Sequence, residues 1–189
     1  MSSILIRTSY LLLFISCIPV YAEEQNKSNF AKQTIDMGIV VTDIGKSLKF
    51  YKEIIGFSEM EGFKVAGKFP KSVGLTDGTP LTIHVLTLGT EEHATKLKLM
   101  QVGSQKPARL IKQPHIHTIA GLSYVTIFVN DVDAVMNRAK KLGYKPYAKS
   151  PQILPEGLPQ DVCLLMLKDP DGNFVEIVGP LATSLKGKK

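Results

Sequence analysis

The sequence predicts an α+β fold in which a unit of one strand, one helix and three further strands occurs twice. Two similar segments support this prediction, D-M-G-I-V-V-T-D-I (36–44) and Y-V-T-I-F-V-N-D-V (124–132), because each joins a β-branched apolar run to an aspartate. In both halves the segment is followed by apolar residues at helical spacing and then by strand-like stretches. With 189 residues, 44% of them hydrophobic, the chain is long enough for one domain with a sizeable core.

The strand that begins each half leads into a predicted helix. Asp43 and Asp131 are natural N-cap residues, because a carboxylate oxygen accepts hydrogen bonds from the unpaired amides of a first helical turn. Apolar side chains then recur at helical spacing. G-F (56–57) and G-Y (143–144) supply a glycine and then a hydrophobic residue, the usual end of a helix.

Three strand-like segments follow each helix. They are 63–65, 81–88 and 96–102 in the first half, and 144–148, 161–167 and 173–178 in the second. D-P-D-G-N (169–173) has the residues of a tight turn and predicts the tip of a hairpin. Residues 104–119 contain two prolines and no clear period, so they are predicted to connect the halves.

Two longer motifs stand out, G-I-V-V-T-D-I-G-K-S-L-K-F-Y-K-E-I-I-G-F (38–57) and D-P-D-G-N-F-V-E-I-V (169–178). Together with the duplicated unit, they make residues 34–180 resemble the vicinal oxygen chelate superfamily, the group of glyoxalase I, bleomycin-resistance proteins, methylmalonyl-CoA epimerase and extradiol dioxygenases. The resemblance implies one domain of two βαβββ modules, at about 34–103 and about 120–180, whose curved mixed sheets face each other around a central cleft. Because this fold hosts many activities, it does not by itself identify a function.

The resemblance also implies four cleft positions, which usually carry histidine, glutamine or glutamate in metal-dependent members. Carried over residue by residue, they are Asp36, Lys98, Tyr124 and Glu176. An ammonium group cannot donate a lone pair unless it loses its proton, so Lys98 does not suit a divalent metal. No cofactor is therefore expected. A divalent metal remains the alternative, with Asp36, Glu176 and His84 as its ligands.

Glu176 lies between apolar residues of a predicted strand, where a carboxylate needs a partner. If the modules pack as in the superfamily, Lys98 lies opposite Glu176 and beside Asp36, so the lysine supplies the charge that a metal would carry. A purely structural ion pair is the alternative interpretation. His84 lies in the middle of a predicted strand and is expected to face the cleft as a ligand-binding residue.

The first 22 residues have the layout of a secretory signal peptide. Arg7 precedes an apolar run that is too short to span a bilayer, and V-Y-A (20–22) precedes a polar segment, so cleavage is expected after Ala22. A lipoprotein acylated on Cys17 is the alternative. The mature chain is expected in the periplasm or outside the cell, without a membrane span.

The remaining segments are a flexible leader (23–33) and a basic tail (181–189) that ends in K-G-K-K. The net charge of +6 is modest and spread along the chain, which favours a solvated tail over a nucleic-acid-binding surface. A homodimer is expected, because strand-rich modules leave sheet edges that a second chain can cover.

These observations predict an exported protein that binds a small organic molecule in its central cleft without a conventional divalent metal centre. The alternative is a metal-dependent glyoxalase-like lyase, isomerase or dioxygenase. An enzyme without metal would use Glu176 as general base, with Lys98 or Tyr124 stabilising an oxyanion. The sequence leaves open whether the protein is an enzyme, and which molecule it binds.

Overall fold

The computed structural model describes residues 30–32, 34–89, 94–103 and 110–187. The predicted signal peptide and most of the predicted leader lie outside the described residues, as do 104–109 of the predicted linker and the last two residues of the tail. All the helices and strands of the described residues belong to Lys32–Lys189, which forms one compact unit. In the described part of the chain, no helix is long and apolar enough to cross a membrane.

Each half of the chain contains one four-stranded mixed sheet and a few helices, which confirms the predicted α+β fold. The first half consists of β1 (Met37–Val40), α1 (Ile44–Lys49), a π-helix (Phe50–Ile55), β2 (Ser58–Val65), α2 (Phe69–Ser72), β3 (Leu81–Thr87) and β4 (Lys96–Val102). The second consists of β5 (Tyr124–Phe128), α3 (Val132–Lys141), β6 (Gln152–Ile153), β7 (Val162–Lys168), β8 (Phe174–Pro180) and a 3₁₀ turn (Thr183–Leu185).

The two sheets have the same topology. Their strand orders are β1-β4-β3-β2 and β5-β8-β7-β6. In each sheet the first strand runs parallel to the last, and the other neighbours are antiparallel. The hairpin predicted at 169–173 is confirmed, since β7 and β8 pair directly across this turn.

The helices begin and end where the sequence predicts. Asp43 accepts a hydrogen bond from the amide of Lys46 at 3.1 Å, and Asp131 accepts one from the amide of Ala134 at 2.9 Å. Gly56 ends the π-helix with φ of 107°, a left-handed conformation that residues with a Cβ rarely adopt. The same local signals therefore delimit the main helix of each half.

The core lies between the helices and one face of each sheet. Leu97 and Leu99 of β4, and Val175 and Ile177 of β8, are fully buried there. They belong to a single apolar cluster that includes residues from both halves. Burial of each such side chain contributes about 1.5–3 kcal/mol, so the two halves share one source of stability.

We call the opposite face of each sheet its open face, because α1, the π-helix and α3 pack on the other side. Leu81, Ile83 and Val85 on the first open face, and Phe174 on the second, are nevertheless buried. In the first sheet it carries Gly38, Val40, Met60, Phe63, Val65, Leu81, Ile83, Val85, Thr87, Lys96, Lys98, Met100 and Val102. In the second it carries Tyr124, Thr126, Phe128, Val162, Leu164, Met166, Lys168, Phe174, Glu176, Val178 and Pro180. These residues alternate along their strands with those of the core, as expected for a period of two.

The strand predicted at 144–148 is not formed, and its place in the second sheet is taken by the two-residue strand β6. Pro146 has no amide hydrogen to donate, and Ala148 adopts a left-handed φ of 52° that turns the chain. Within this segment, the amide of Tyr147 donates to the carbonyl of Met166 at 2.7 Å. The segment therefore follows β7 without forming a regular ladder.

The strand predicted at 63–65 is longer than expected and begins at Ser58. Its pairing with β3 changes register between Met60 and Phe63. At this irregularity a Cβ on Gly62 would lie 2.3 Å from the carbonyl oxygen of Ile83. The close approach of two backbones thus requires glycine here.

Candidate functional site

A cavity of about 220 Å³ lies where the first strands of the two halves meet. Ile39 and Val40 line it from β1, and Tyr124 and Val125 line it from β5. Leu122 and Phe174 complete the apolar part of the wall, and Ser123, Tyr51 and Asn173 supply the other polar groups. The cavity wall therefore combines apolar and polar surface in similar amounts.

Tyr51 and Asn173, which both line the cavity, are connected through Asp169. The Tyr51 hydroxyl donates to one carboxylate oxygen of Asp169 at 2.9 Å, and the Asn173 side chain donates to the same oxygen at 2.9 Å. The other oxygen accepts from the amides of Asp171 at 3.0 Å and Asn173 at 2.8 Å. Burial raises the pKa of Asp169 above its ordinary value, although these hydrogen bonds act in the opposite direction.

Further contacts fix the relative position of the two halves. The amide of Thr42 donates to the carboxylate of Asp171 at 3.2 Å, and the Thr42 hydroxyl donates to the same group. Arg138 of α3 donates from Nε to the carbonyl of Ile54 at 2.8 Å, at the end of the π-helix. The D-P-D-G-N turn is thus both a hairpin tip and the attachment of the second half to the first. Sequence reasoning recognised the hairpin and missed the attachment.

The structure brings Lys98 and Asp36 together at the open face of the first sheet. Lys98 Nζ lies 3.0 Å from Asp36 Oδ2, and Lys32 Nζ lies 3.2 Å from Asp36 Oδ1. The hydrogen bond from Lys98 is the largest cause that lowers the pKa of Asp36 below its ordinary value. The Lys98 side chain remains 33% exposed, so a bound molecule has access to it.

Glu176 has a different partner from the one predicted. Its Oε2 accepts a hydrogen bond from the hydroxyl of Thr126 at 2.7 Å, directly across the pairing of β5 with β8. Among the described residues no ion pair joins Glu176 to Lys98, so the predicted pairing is wrong. The physical reason is that each side chain finds a polar neighbour within its own half. Tyr124 lies on the same face as Glu176 and reaches the cavity wall.

His84 does not face the space that was expected. It pairs in register with Leu99, whose side chain is buried in the core, so His84 points to the helix side of the sheet. There its Nδ1 lies 3.0 Å from Glu59, whose other oxygen lies 2.6 Å from Lys52 of the π-helix. The prediction that His84 faces the cleft is wrong, because the odd-numbered residues of β3 occupy the open face.

The residues at the predicted positions do not suit a divalent metal. Each carboxylate oxygen of Asp36 already contacts a lysine ammonium, and His84 points away from Asp36 and Glu176. A metal site needs several lone-pair donors directed at one point. Within the described ranges, no group of three or more His, Cys, Asp or Glu side chains is arranged to hold a metal ion. We therefore derive no chemical step through a metal.

Comparison with known families gives one match that covers most of the chain. The sequence model of the Glyoxalase/Bleomycin resistance protein/Dioxygenase superfamily matches residues 34–177. This range includes the first sheet, the second sheet as far as the middle of β8, and the cavity between β1 and β5. A comparison with curated proteins gave no match.

Solved structures with a similar fold include three proteins of the glyoxalase type. A glyoxalase family protein from Bacillus cereus is 18% identical, with 83% of this chain and 99% of that chain covered and a TM-score of 0.63. The trypanothione-dependent glyoxalase I from Leishmania major is 20% identical, with 79% and 87% covered and a TM-score of 0.53. A glyoxalase I variant from Zea mays is 18% identical, with 79% and 46% covered and a TM-score of 0.57. At these identities the likeness shows the fold alone.

Proposed function

The chain belongs to the Glyoxalase/Bleomycin resistance protein/Dioxygenase superfamily, and from this premise we propose that it binds a small organic molecule without a conventional divalent metal centre. The observation that carries the proposal is the cavity of about 220 Å³ between β1 and β5. Protein sites for small molecules are concave and mostly apolar, with a few polar groups that orient the ligand. The volume is below the usual range of about 300–1,000 Å³, so the cavity suits a ligand smaller than a typical drug.

Tyr124 at the cavity wall, and Lys98 on the sheet that adjoins it, are the polar contacts proposed for such a ligand. The Tyr124 hydroxyl is a hydrogen-bond donor at the cavity wall, and Lys98 lies beside Gly38, another wall residue. Asp36 holds the Lys98 ammonium in place at 3.0 Å. Lys98 therefore provides a fixed positive charge for a ligand oxygen, the role that a metal ion would otherwise have.

Titration of the labelled protein with a fragment library, followed by NMR, tests this proposal. We expect bound fragments to shift the methyl signals of Val40 and Val125. Val40→Trp fills part of the cavity and should weaken binding at least about tenfold, or about 1.4 kcal/mol. Leu158→Trp, at an exposed position outside the cavity, is the matched control and should leave binding unchanged. Fragments that bind equally well to Val40→Trp would contradict the proposal.

A metal-dependent lyase, isomerase or dioxygenase is the second candidate. It is favoured by Glu176, which has a hydroxyl partner but no cation among the described residues. Elemental analysis of protein purified without added metal distinguishes the candidates. We expect zinc, nickel, iron and manganese well below one per chain. A stoichiometric metal that is lost in Glu176→Gln would support the metal-dependent enzyme. Catalytic activity of the metal-free protein would instead point to Glu176 as general base.

Export is part of the proposed function. The charged start, the short apolar run and V-Y-A (20–22) support a signal peptide cleaved after Ala22. The intact mass of protein from the cell envelope tests this, and a chain that retains Met1 would contradict it. Acylated Cys17 would favour the lipoprotein alternative.

A homodimer is also proposed. Its support is the sheet edges: β2 and β6 are the outer strands of the two sheets in the described residues, and a second chain can cover such edges. Light scattering at micromolar concentration is expected to give twice the mass of one chain. A monomer under these conditions would refute the dimer.

A further inference from the structure

The open face of the first sheet changes from charged to apolar along β4. Lys96 and Lys98 lie towards one end of this strand, and Met100 follows on the same face. In the adjacent strand, Val85 lies opposite Lys98 and Ile83 lies opposite Met100. The face therefore has a cationic end and an apolar end within one sheet.

Among the described residues, the cationic end has more positive than negative charge. Lys32 and Lys98 both pair with Asp36, so two ammonium groups share one carboxylate. Lys96 adds a further positive charge two positions before Lys98 on the same face. An exposed site with unneutralised positive charge attracts an anion.

The apolar end is a row of side chains that crosses all four strands. Val40, Met100, Ile83 and Phe63 occupy matching register positions in β1, β4, β3 and β2. Val40 is 46% exposed and Phe63 is 48% exposed, whereas Ile83 between them is buried, with Met100 packed against it. A bound molecule therefore reaches the row chiefly at Val40, Met100 and Phe63. Since strands lie about 4.8 Å apart, the row is about 14 Å long, which suits a medium-length alkyl chain or a fused ring system.

From these two features we infer that the open face of the first sheet binds a small anionic amphiphile. Its carboxylate, or another single anionic group, pairs with Lys98, and its apolar body lies along Val40, Met100 and Phe63. The inference rests on the proposed function, because Gly38 and Val40 belong both to this face and to the wall of the cavity. It names the class of ligand that the cavity and the adjoining sheet accept together.

Octanoate and octanol form a matched pair of probes, since they share one alkyl chain and differ in the anionic group. Methyl NMR titration of the wild-type protein is expected to shift the Met100 signal with both probes, and to give at least about tenfold tighter binding for octanoate. The octanoate preference should decrease with ionic strength, because salt screens charges that are partly exposed.

Two substitutions separate the contributions of charge and apolar contact. Lys98→Met keeps an apolar side chain and should reduce octanoate binding to the level of octanol. Lys64→Met is the matched control, because Lys64 pairs with Thr82 on the opposite face of the same sheet, and it should leave the preference unchanged. Phe63→Ala removes an exposed apolar contact and should weaken the binding of both probes about threefold, so the ratio of their affinities should not change.

Several outcomes would overturn the inference. Equal binding of octanoate and octanol, a preference that survives Lys98→Met, or binding that leaves the Met100 signal unshifted would each do so. If neither probe binds, this ligand class is wrong. Fragment binding that is sensitive to Val40→Trp would then still support the cavity, so the inference and the proposed function fail separately.

Discussion

The two halves of the protein share a backbone plan but differ in the chemistry of their open faces. At equivalent positions of the parallel pairings, Lys98 lies beside Gly38 in the first half, whereas Glu176 lies beside Thr126 in the second. The helix-covered faces are alike because both must fill the same core. The open faces do not take part in that packing, and at this one position they carry opposite charges. The proposed ligand binding uses the open faces, whereas stability depends on the covered ones.

A second difference lies three residues further along the same two strands. Gln101 of β4 accepts a hydrogen bond from the amide of Ile44, at the start of α1, at 3.2 Å. Gly179 of β8 has no room for a side chain, since a Cβ there would lie 2.3 Å from the carbonyl oxygen of Val129. The first half therefore fills this space with a helix cap, and the second half closes it by backbone contact.

The largest effect is expected from removing the contact by which the second half holds the first. Asp169→Ala leaves the buried Tyr51 hydroxyl without its acceptor, together with the amides of Asp171 and Asn173. We expect the free energy of unfolding to fall by about 2–4 kcal/mol, measured by urea denaturation. Tyr51→Phe removes one hydrogen bond and should cost about 1 kcal/mol. An Asp169→Ala protein as stable as Tyr51→Phe would show that the turn does not join the halves.

Gln101 and Gly179 occupy equivalent positions in the last strands of the two halves, so substitutions there test directly whether the halves pack differently. Gly179→Ala should destabilise the protein by about 2–3 kcal/mol, because the new methyl group overlaps the backbone of Val129. Gln101→Ala should cost about 1 kcal/mol, the usual loss for a helix cap. Thermal or urea unfolding of both variants measures the difference. Equal losses would mean that the two halves do not pack differently here.

A smaller effect concerns the charge of the first open face. Lys98→Met should raise the pKa of Asp36 towards its ordinary value of 3.8, because the largest cause of its lowering is removed. In the wild type this pair stabilises the fold above the unfolded-state pKa, and the contribution is lost as pH falls through the lower folded-state pKa. With both groups partly exposed it amounts to about 0–1 kcal/mol.

NMR titration of side-chain carboxyl groups measures this shift. Asp133 is the internal control, because its pKa is lowered chiefly by a hydrogen bond from Thr183, far from the substitution in sequence. An unchanged pKa of Asp36 in Lys98→Met would show that the ion pair does not form in solution.

The smallest effect tests whether the two open faces interact. A double-mutant cycle of Lys98→Met and Glu176→Gln should give a coupling energy below about 0.5 kcal/mol, because each side chain has its partner within its own half. Urea denaturation of the four proteins provides the measurement. A coupling energy above about 1 kcal/mol would show that Lys98 and Glu176 interact in solution, as the sequence predicted.

The features that were predictable from sequence are those decided by neighbouring residues. Asp43 and Asp131 cap helices because their side chains reach amides three residues away. Gly56 ends a helix because of its own backbone freedom. The D-P-D-G-N turn forms a hairpin for the same kind of local reason. The duplicated pattern then identified the α+β fold.

The features that were not predictable are the sheet face on which a side chain lies and the residue with which it pairs. A shift of one residue in strand phase decides whether His84 faces the core side or the open side, and sequence alternation did not resolve it. The partners of Lys98 and Glu176 depend on distant strands. The network of Tyr51 with Asp169 joins residues from different halves, and no local pattern marks it.

In each half the last strand lies between the first strand and the third. Thr126 and Glu176 are 50 positions apart in sequence. They can therefore pair only after almost all of the second half has been synthesised. Until β8 inserts, β5 has no partner and β7 has an open edge. Closing such long loops makes folding slower than in helical bundles. During refolding, unpaired edges of one chain are available to those of another, so aggregation at high concentration is the kinetic consequence of this strand order.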